Sequence, residues 1–389
     1  MRVLHVIPAI AACYGGPSKV VIDTCKALRQ AGIEAEIATT NADETGDRPI
    51  PQQLPVSIET VPVYLFRRLG ALRYKPSWPL TRWLEQNVQN YDLLHIHAVF
   101  SYSTAAAAYY ARRNNVPYVL MPHGMLNPWP VRQKRLLKRL YLTAVERKNL
   151  ASAAALQFTA DDELENSSVK GRANLVLPYV LDLDLPANGH HPSRPQPRIL
   201  FLSRLDPKKG IELLIEALRD LADADHQFDF VIAGSGAAAY EEHLRRKINA
   251  SGKLAARTSF AGFVEGPGKI NLLQSSDLFV LPSFDENFGI AVAEAMASRL
   301  AVIITDKVNI HDQIAREAAG LVVPPTAEAL RDAVAKLLTN PKLRDDCAAR
   351  GQQLVRTTFS SGAVTEETIK VYRDVIENSR HSDAWRVLN

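Results

Sequence analysis

The chain has 389 residues, of which 47% are hydrophobic and 23% charged, a composition that excludes a disordered chain. No run approaches the roughly 18 apolar residues of a membrane span, and three cysteines without metal-ligand spacing exclude a disulfide framework, so we expect a cytoplasmic protein. The net charge is +4, but residues 1–180 carry 21 Lys and Arg against 14 Asp and Glu, so this half should face a membrane surface, a phosphorylated acceptor or a nucleic acid.

The first half alternates apolar runs with helical patterns, as a doubly wound fold does. The strand candidates are Val3–Ile7, Glu34–Thr39, Leu93–His97, Tyr118–Met121 and Ala154–Phe158. The helical segments between them include Ser18–Ala31 and Lys134–Leu150. Several runs are apolar without polar alternation, which is typical of a parallel sheet covered on both faces. We interpret the apolar N-terminus as the first buried strand and not a cleaved leader, because it has no small-residue cleavage site.

Two loops of this half follow predicted strands and could meet a ligand. In ACYGGPSK, Gly16 allows close backbone approach and Pro17 suits a first helical turn, although a plain tight turn explains both equally well. In PHGMLNPWP, His123 could donate a hydrogen bond or move a proton near neutral pH, or it could cap a loop. We expect one of His95 and His97 to be partly buried and neither to bind a metal, because no third ligand has a suitable spacing.

A basic helix is predicted over residues 131–150, where one apolar stripe lies opposite a cationic side. The cations of that side, and those elsewhere in this half that add to it, are Arg132, Arg135, Lys138, Arg139, Arg67, Arg68, Arg73, Lys75 and Arg82. This face could rest on an anionic membrane, and a solvated face of a domain helix is the alternative.

A proline-rich stretch, Asp182–Arg198, interrupts the rhythm of strands and helices. Such a segment cannot occupy a central strand or a helix interior. We therefore predict an N-terminal domain over 1–181, a linker over 182–197, a C-terminal domain over 198–362 and a C-terminal segment over 363–389. Asp182 and Asp184 form a carboxylate pair in the linker, and we expect no metal there because a hard cation needs more oxygen ligands.

The rhythm restarts after the linker and predicts a second doubly wound domain. The strand candidates are Ile199–Ser203, Phe228–Ala233, Thr258–Ala261, Leu278–Pro282 and Val302–Thr305. A last helix, near Ala363–Asn378, could pack on either domain. The fold class is thus α/β with two Rossmann-like domains facing a central cleft, where ligands of open sheets bind.

The segment LPSFDENFGIAVAEAMA contains the most candidate ligand-binding groups. A helix should begin near Gly289, where free N–H groups make an anion site and glycine permits close approach. Glu286 lies in the loop and Glu294 about two turns into the helix, and both could accept hydrogen bonds from ligand hydroxyls. The alternative is that Glu286 only interacts favourably with the helix dipole and that Glu294 is merely exposed.

Two further motifs follow strands of the second half. Arg204 and Lys209 flank a proline turn in LSRLDPKKGI and could bind a diphosphate, although a solvated basic turn is an alternative. IAGSGAAAY, with Gly234, reads G-x-G-x-x-A, but it lies in the second βα turn of its domain and no acidic residue ends the next strand. We therefore expect no NAD, and a glycine loop at the same sheet edge.

In this order and spacing the motifs resemble the retaining glycosyltransferases of family 4, which have the GT-B fold, over nearly the whole chain. The most specific is E-x7-E from Glu286 to Glu294, followed by SRLDPKKG, AGSG and GGPS. PHGMLNPW resembles a subgroup that builds bacterial exopolysaccharides, and the chain is similar to cyanobacterial envelope-polysaccharide enzymes. The loop reads Glu–Asn–Phe–Gly where the family more often has an acidic residue before Gly–Phe–Gly, which leaves the sugar open.

The resemblance implies a set of site residues. The implied catalytic residues are His123 and Glu286. The implied donor-binding residues are Gly16, Arg204, Lys209, Gly234, Phe263, Val264, Asn287, Phe288, Gly289, Ile290 and Glu294.

The resemblance also implies what these residues do. Arg204 and Lys209 would neutralise the diphosphate, Glu286 would hold sugar hydroxyls, and Glu294 would bind the ribose. The backbone of residues 287–290 would face the phosphates and sugar, and residues 263–264 would lie against the base. From the N-terminal domain, a glycine at 16 would approach the phosphate and a histidine at 123 would lie beside the reacting sugar. The final helix would cross back to that domain.

The implied reaction moves a hexose, glucose first, from a UDP-sugar to a growing polysaccharide or lipid-linked oligosaccharide. No cofactor or metal is expected, and the leaving phosphate would help to deprotonate the acceptor on the same face. We expect the enzyme in the cytoplasm, with the anionic membrane face as an optional contact and no nucleic acid partner, because no aromatic-interleaved basic motif is present. A GT-B nucleotide-sugar epimerase or hydrolase and a non-catalytic binding subunit are the alternatives.

Overall fold

Two compact units make up the chain. The computed structural model describes residues 1–43, 46–51, 53–70, 74–127, 141, 145–183 and 196–381. Unit 1 comprises Met1–Asp182 with Ser360–Asn389, and unit 2 comprises Leu183–Phe359. Most of the predicted linker, including Asp184, lies outside the described residues.

Unit 1 is built on an eight-stranded sheet in the order β3-β4-β2-β1-β5-β6-β7-β8. Its strands are β1 (Arg2–Ala9), β2 (Glu34–Thr40), β3 (Val56–Ile58), β4 (Val61–Phe66), β5 (Leu93–His97), β6 (Tyr118–Met121), β7 (Ala155–Phe158) and β8 (Asn174–Val176). Every pair is parallel except β3 with β4. The predicted parallel sheet is thereby confirmed.

Helices cover both faces of this sheet. The described helices of unit 1 are α1 (Gly16–Gln30), α2 (Trp78–Asn87), α3 (Tyr102–Arg113), α4 (Arg147–Ser152), α5 (Asp161–Asn166) and the C-terminal helix (Ser361–His381). Along β1, Val3 and Ile7 pack in one core cluster with residues of α1 and the C-terminal helix. Leu4 and Val6 point the other way, into a cluster with residues of α2 and α3. This alternation follows from the two-residue period of a strand.

Part of the predicted basic helix over 131–150 falls on residues outside the described ranges. Within them, α4 begins at Arg147. Among the other cations assigned to this surface, Arg68 forms an ion pair with Asp47 at 2.6 Å, and the Lys75 ammonium lies 3.7 Å from the centre of the Tyr14 ring. Arg73 also lies outside the described residues.

Unit 2 has a six-stranded sheet in the order β11-β10-β9-β12-β13-β14, and all its pairs are parallel. Its strands are β9 (Arg198–Leu202), β10 (Asp229–Ala233), β11 (Thr258–Gly262), β12 (Leu278–Leu281), β13 (Ala301–Thr305) and β14 (Gly320–Val323). Its described helices are α6 (Ile211–Asp223), α7 (Ala238–Asn249), α8 (Gly252–Ala255), α9 (Gly266–Gln274), α10 (Ile290–Ala297), α11 (His311–Arg316), α12 (Ala327–Thr339) and α13 (Pro341–Thr358). The predicted second doubly wound domain is confirmed.

Four strands were not predicted: β3, β4, β8 and β14. Pro62 interrupts the β4 pattern, and the other three have only three or four residues, so none gives a strong periodic signal. Among the helices that the structure describes, none is long and apolar enough to cross a bilayer.

Candidate functional site

The loop between β12 and α10 is fixed by backbone hydrogen bonds to the segment after β13. The N–H of Glu286 donates to the Lys307 carbonyl at 2.9 Å, and the Asn309 N–H donates to the Glu286 carbonyl at 3.0 Å. Gly289 has a φ of 76° and precedes the first residue of α10, where no side chain caps the helix. Glycine adopts this φ without strain, so the loop can turn directly into the helix. Anion binding at this uncapped helix start stays a prediction.

Lys209 and Glu286 form the central ion pair of this site, with Lys209 Nζ donating to Glu286 Oε2. A second pair lies beside it, with Lys208 Nζ 2.5 Å from Asp285 Oδ2. Lys209 is only 8% exposed, so the solvated-turn alternative is wrong for this residue. Arg204 is exposed and has no hydrogen bond or ion pair within the described part of the chain, which leaves its guanidinium available to an anion.

The charge of Glu286 is held by its neighbours. Burial would raise the pKa of Glu286, but Lys209, Lys208 and Arg204 outweigh burial and hold this pKa below its usual value of 4.5. Glu286 is therefore ionised near neutral pH. A carboxylate in this state accepts hydrogen bonds and cannot act as a general acid.

A tight contact between two loops places Lys209. Residues Pro207–Lys209 form a 3-10 turn whose start is capped by Asp206, which accepts from the Lys208 N–H at 2.8 Å. Gly210 follows with a φ of 65°, and a Cβ at this position would lie 2.0 Å from the Pro282 carbonyl oxygen. Only glycine lets the turn pack against the end of β12, which is why the lysine reaches the loop that carries Glu286.

Gly234 has a comparable role at the end of β10. Its φ is 133°, and a Cβ would lie 1.8 Å from the Ser203 carbonyl oxygen. Glycine is therefore required for the close approach of the loops after β9 and β10, and Arg204 follows directly on that contact. The structure thus gives a packing reason for the glycine, and its contact with a donor stays a prediction.

Glu294 lies deeper in α10 and is 7% exposed, so the alternative that it is merely exposed is wrong. Because α10 begins at Ile290, the residue lies about one turn into the helix, and the predicted two turns are wrong. Lys269 of α9 donates from Nζ to Glu294 Oε1 at 2.6 Å. The sequence analysis missed Lys269, since no motif joins residues 25 positions apart.

The remaining predicted residues of unit 2 differ in exposure. Phe263 is 58% exposed, and Val264 is half-buried. Phe288 is buried, and its ring centre lies 5.2 Å from that of Phe359, so its side chain serves the core. Asn287 Oδ1 accepts from Asn309 Nδ2 at 3.4 Å.

In unit 1, Gly16 is the first residue of α1 and follows Gly15, whose φ is 80°. Asp182, of the linker carboxylate pair, accepts from Lys26 Nζ at 2.7 Å. His123 follows β6 with a φ of 54°, a left-handed conformation that non-glycine residues rarely adopt. These residues belong to unit 1, and those around Glu286 belong to unit 2.

A chain of hydrogen-bonded imidazoles runs to His123 from the interior of unit 1. His5 Nδ1 lies 3.0 Å from His97 Nε2, His97 Nδ1 lies 3.0 Å from His123 Nε2, and His123 Nδ1 lies 2.8 Å from the Tyr179 hydroxyl. His5, His97, His123 and Tyr179 form what we call the imidazole chain. Both ring nitrogens of His123 are thus already engaged.

His95 is stacked beside this chain. Its ring centre lies 4.3 Å from that of His97, and its Nδ1 lies 2.5 Å from the hydroxyl of Tyr372 in the C-terminal helix. His95 and His97 are both fully buried, so the expectation that one is partly buried is wrong. Adjacent parallel strands in register, with His5 opposite His95, place all three imidazoles on one face of the sheet.

Burial keeps these imidazoles uncharged. It lowers the pKa of His5 and of His123 from 6.5 to about 3. The pKa of His95 and that of His97 also lie well below the usual value, because of burial and then of neighbouring imidazoles. A proton transfer by His123 near neutral pH therefore has no support, whereas a role as a hydrogen-bonding group stays a prediction.

His5, His95 and His97 are the described residues that could hold a metal, with ring nitrogens within 4.8 Å of one another. The expectation that no third ligand accompanies His95 and His97 is therefore wrong, because sequence spacing does not reveal a residue on the neighbouring strand. His97 uses both nitrogens in the imidazole chain, so a metal ion would have to displace one of those hydrogen bonds.

Comparisons with known proteins identify the family of the chain. A family model for group 1 glycosyl transferases matches residues 188–354, and one for a glycosyl transferase 4-like domain matches residues 15–179. An alpha-D-kanosaminyltransferase of Streptomyces kanamyceticus is 30% identical over 57% of this chain and 54% of its own length. A phosphatidyl-myo-inositol mannosyltransferase of Mycobacterium leprae is 24% identical over 96% of this chain and 97% of its own.

Solved structures share the fold. Anabaena HepE in complex with UDP-glucose has a TM-score of 0.74 to this chain at 17% identity, covering 96% of this chain and 100% of its own. At this identity the likeness establishes the fold alone. Together, the two family models, the full-length relative and the shared fold establish that the chain belongs to the glycosyltransferases of the group 1 and 4-like families and has the GT-B fold.

Proposed function

We propose that the chain is a retaining glycosyltransferase that moves a hexose, with glucose as the first candidate, from a UDP-sugar to a growing polysaccharide or a lipid-linked oligosaccharide. The observation that carries the proposal is the Lys209–Glu286 ion pair beside exposed Arg204 at the uncapped start of α10. Such a site offers cations and N–H groups to a diphosphate and a carboxylate to a sugar. A donor that contains both a diphosphate and a sugar would bind the cations, the N–H groups and the carboxylate of this site together.

The diphosphate is the group that this site is best equipped to stabilise. Arg204 offers a planar fork of N–H donors, and Lys209 offers a mobile point charge. The start of α10 adds backbone N–H groups and the positive end of the helix dipole. Negative charge grows on the diphosphate as the sugar leaves, so these groups stabilise the transition state more than the bound donor.

Glu286 would orient the transferred sugar. Because its pKa is held below its usual value, it is an acceptor for sugar hydroxyls at neutral pH. The sugar hydroxyls would donate to the Glu286 carboxylate alongside Lys209, and the Lys209 ammonium could then turn toward the diphosphate. Glu294 would bind the ribose, and exposed Phe263 would pack against the base.

The displacement would occur on one face of the sugar. The acceptor oxygen forms a bond to the anomeric carbon while the bond from that carbon to the diphosphate oxygen breaks, and the acceptor proton passes to the leaving phosphate. No enzyme base is needed for this step, which agrees with the low pKa of both Glu286 and His123. His123 would hold the reacting sugar by hydrogen bonding after it exchanges its bond to His97 or to Tyr179, since both of its ring nitrogens are engaged. Gly16 would approach the phosphate.

The names of similar proteins support the proposed substrates. Anabaena HepE was solved with UDP-glucose, which supports a nucleotide-sugar donor. The mycobacterial relative is a phosphatidyl-myo-inositol mannosyltransferase, which supports a lipid-linked acceptor. The matched families are transferases, which argues against the epimerase alternative. We further propose a cytoplasmic enzyme whose basic residues in unit 1 contact an anionic membrane face.

A thermal-shift panel of nucleotide sugars, each with and without EDTA, tests the donor. A ligand at a hundred times its Kd should stabilise the fold by about 2.7 kcal/mol, and we expect UDP-glucose to give the largest shift. A shift that disappears in EDTA would contradict metal-independent binding. Incubation with UDP-glucose alone should give no epimer, and NMR of the anomeric proton in the transfer product should show retention.

A further inference from the structure

Lys269 stands out because no motif or predicted role includes it. It lies in α9, and its Nζ is 2.6 Å from Oε1 of Glu294 in α10. The side chains are 24% and 9% exposed, so the pair is largely withdrawn from water. An ionised carboxylate at this depth requires a hydrogen-bonded counter-charge, and Lys269 supplies it.

The pair leaves one carboxylate oxygen for a ligand. Lys269 engages Oε1, and among the described residues no other side chain or backbone group donates to Oε2. The ammonium group carries three N–H donors, of which this hydrogen bond uses one. The pair therefore presents an acceptor oxygen and cationic donors side by side.

A vicinal diol matches that arrangement. Each hydroxyl group can donate one hydrogen bond and accept others. One hydroxyl of a diol can donate to Glu294 Oε2 while accepting from Lys269 Nζ, which a single carboxylate without its lysine could not provide. The loop that leads into α9 also carries Phe263, 58% exposed, which suits an aromatic base attached to the same sugar.

We propose that Lys269 is a specificity-determining residue of the donor site, which positions Glu294 and reads the ribose diol of the nucleotide together with it. This inference rests on the proposed function, since it requires a nucleotide donor. It goes further in assigning ribose recognition to an ion pair between two helices. It also implies that a nucleotide lacking one ribose hydroxyl is discriminated against through Lys269.

Calorimetric titration with UDP and with 2′-deoxy-UDP tests the assignment. We expect the wild-type chain to prefer UDP by about tenfold, the size of one hydrogen bond to a charged group. Lys269→Met should weaken UDP binding by about tenfold or more and bring the preference close to one. Lys269→Arg keeps the charge and should keep the preference.

The matched control is Lys253→Met, which removes a 2.7 Å ion pair with Asp225 elsewhere in unit 2 and should leave both dissociation constants unchanged. If Lys269→Met does not fold, Lys269→Gln, which can still hydrogen-bond the carboxylate, replaces it with the same expectation for the preference. A structural role would weaken both nucleotides equally and leave their ratio as in the wild type, and that result would overturn the inference.

Failure of the inference and failure of the proposed function give different results. Wild-type chain that binds neither UDP nor any nucleotide sugar would contradict the proposed function, and the inference with it. Wild-type chain that binds UDP and 2′-deoxy-UDP equally well would overturn the inference alone. So would an unchanged preference in the folded Lys269→Met or Lys269→Gln variant.

Discussion

The two units are built on the same kind of parallel sheet, but the polar clusters described above, one in each unit, are stabilised in different ways. Unit 2 pairs carboxylates with lysines, as in Lys209–Glu286 and Lys269–Glu294. Unit 1 buries neutral imidazoles that hydrogen-bond to one another and to tyrosines. A site that exchanges internal partners for an anionic ligand needs charges, whereas the imidazoles of unit 1 are buried at lower cost because they are neutral and hydrogen-bonded.

Among the changes considered, lowering the pH should produce the largest difference in stability between the two units. The pKa of His5 and that of His123 fall from 6.5 to about 3 on folding, so the folded state binds fewer protons than the unfolded state. Their contribution to stability is complete above pH 6.5 and is lost as the pH falls toward 3. At pH 5 each such imidazole should cost about 2 kcal/mol.

Hydrogen-exchange protection factors measured from pH 8 to pH 5 test this expectation, because peptides of each unit are followed separately. Protection should fall in unit 1 first. Unit 2 should hold until lower pH, because the lowered pKa of Glu286 means that its contribution is lost only below about pH 4.5. Equal loss in the two units between pH 7 and pH 5 would contradict the comparison.

Glu286→Gln should have the next largest effect, and on catalysis more than on stability. The amide keeps the shape but loses the charge that holds sugar hydroxyls and balances Lys209. We expect the rate of UDP release from UDP-glucose in the presence of acceptor to fall by about a hundredfold or more. Glu317→Gln, at an exposed site in unit 2, is the control. Wild-type rates in Glu286→Gln would show that the site assignment is wrong.

Tyr372→Phe probes the neutral cluster of unit 1 without adding charge. Its hydroxyl is the hydrogen-bond partner of His95 Nδ1, and within the described residues His95 Nε2 already has none. The substitution should destabilise unit 1 by about 1–3 kcal/mol, measured by urea unfolding at pH 8. Tyr109→Phe, at an exposed position, should change stability by less than about 0.5 kcal/mol. Equal effects of the two variants would mean that the buried hydrogen bond contributes nothing.

The smallest effect is expected from Lys208→Met. Lys208 is one of the cations that hold down the pKa of Glu286, and it forms its own ion pair with Asp285. Its removal should raise that pKa toward 4.5, so the acidic limb of the pH–rate profile should move to higher pH, while stability changes by less than about 1 kcal/mol. If the acidic limb does not move, Lys209 and Arg204 suffice to keep the pKa of Glu286 low, and the prediction is wrong. The control is Lys253→Met, which should leave the acidic limb in place.

Local sequence signals explain why much of the fold could be predicted. Apolar runs such as those of β1, β5 and β6 mark the interior of a parallel sheet without knowledge of their neighbours. The start of α10 could be placed because a glycine after a polar loop has a local meaning. Edge strands such as β3 are short and half-exposed, so their residues do not differ enough from a loop to be recognised.

The site was predictable where its residues share a motif and not where they meet across the sheet. Glu286 and Glu294 lie eight residues apart, and Arg204 and Lys209 flank one turn. Lys269 meets its partner only because α9 packs near α10, and His5 joins His97 only through strand pairing. Such contacts depend on register and helix packing, which a single sequence does not encode at any fixed spacing.

The imidazole chain of unit 1 has a direction. A neutral imidazole has one N–H, so the tautomers of His5, His97 and His123 are tied to one another through their shared hydrogen bonds. In one arrangement each of the three rings donates to the next member of the chain, ending at Tyr179. In the other, the Tyr179 hydroxyl donates to His123, His123 donates to His97, and His97 donates to His5. His123 therefore cannot change tautomer alone. A group that reverses the direction of the hydrogen bond at Tyr179 would change the tautomers of all three rings together. The positions of the imidazole protons inside unit 1 therefore depend on whether the Tyr179 hydroxyl donates or accepts.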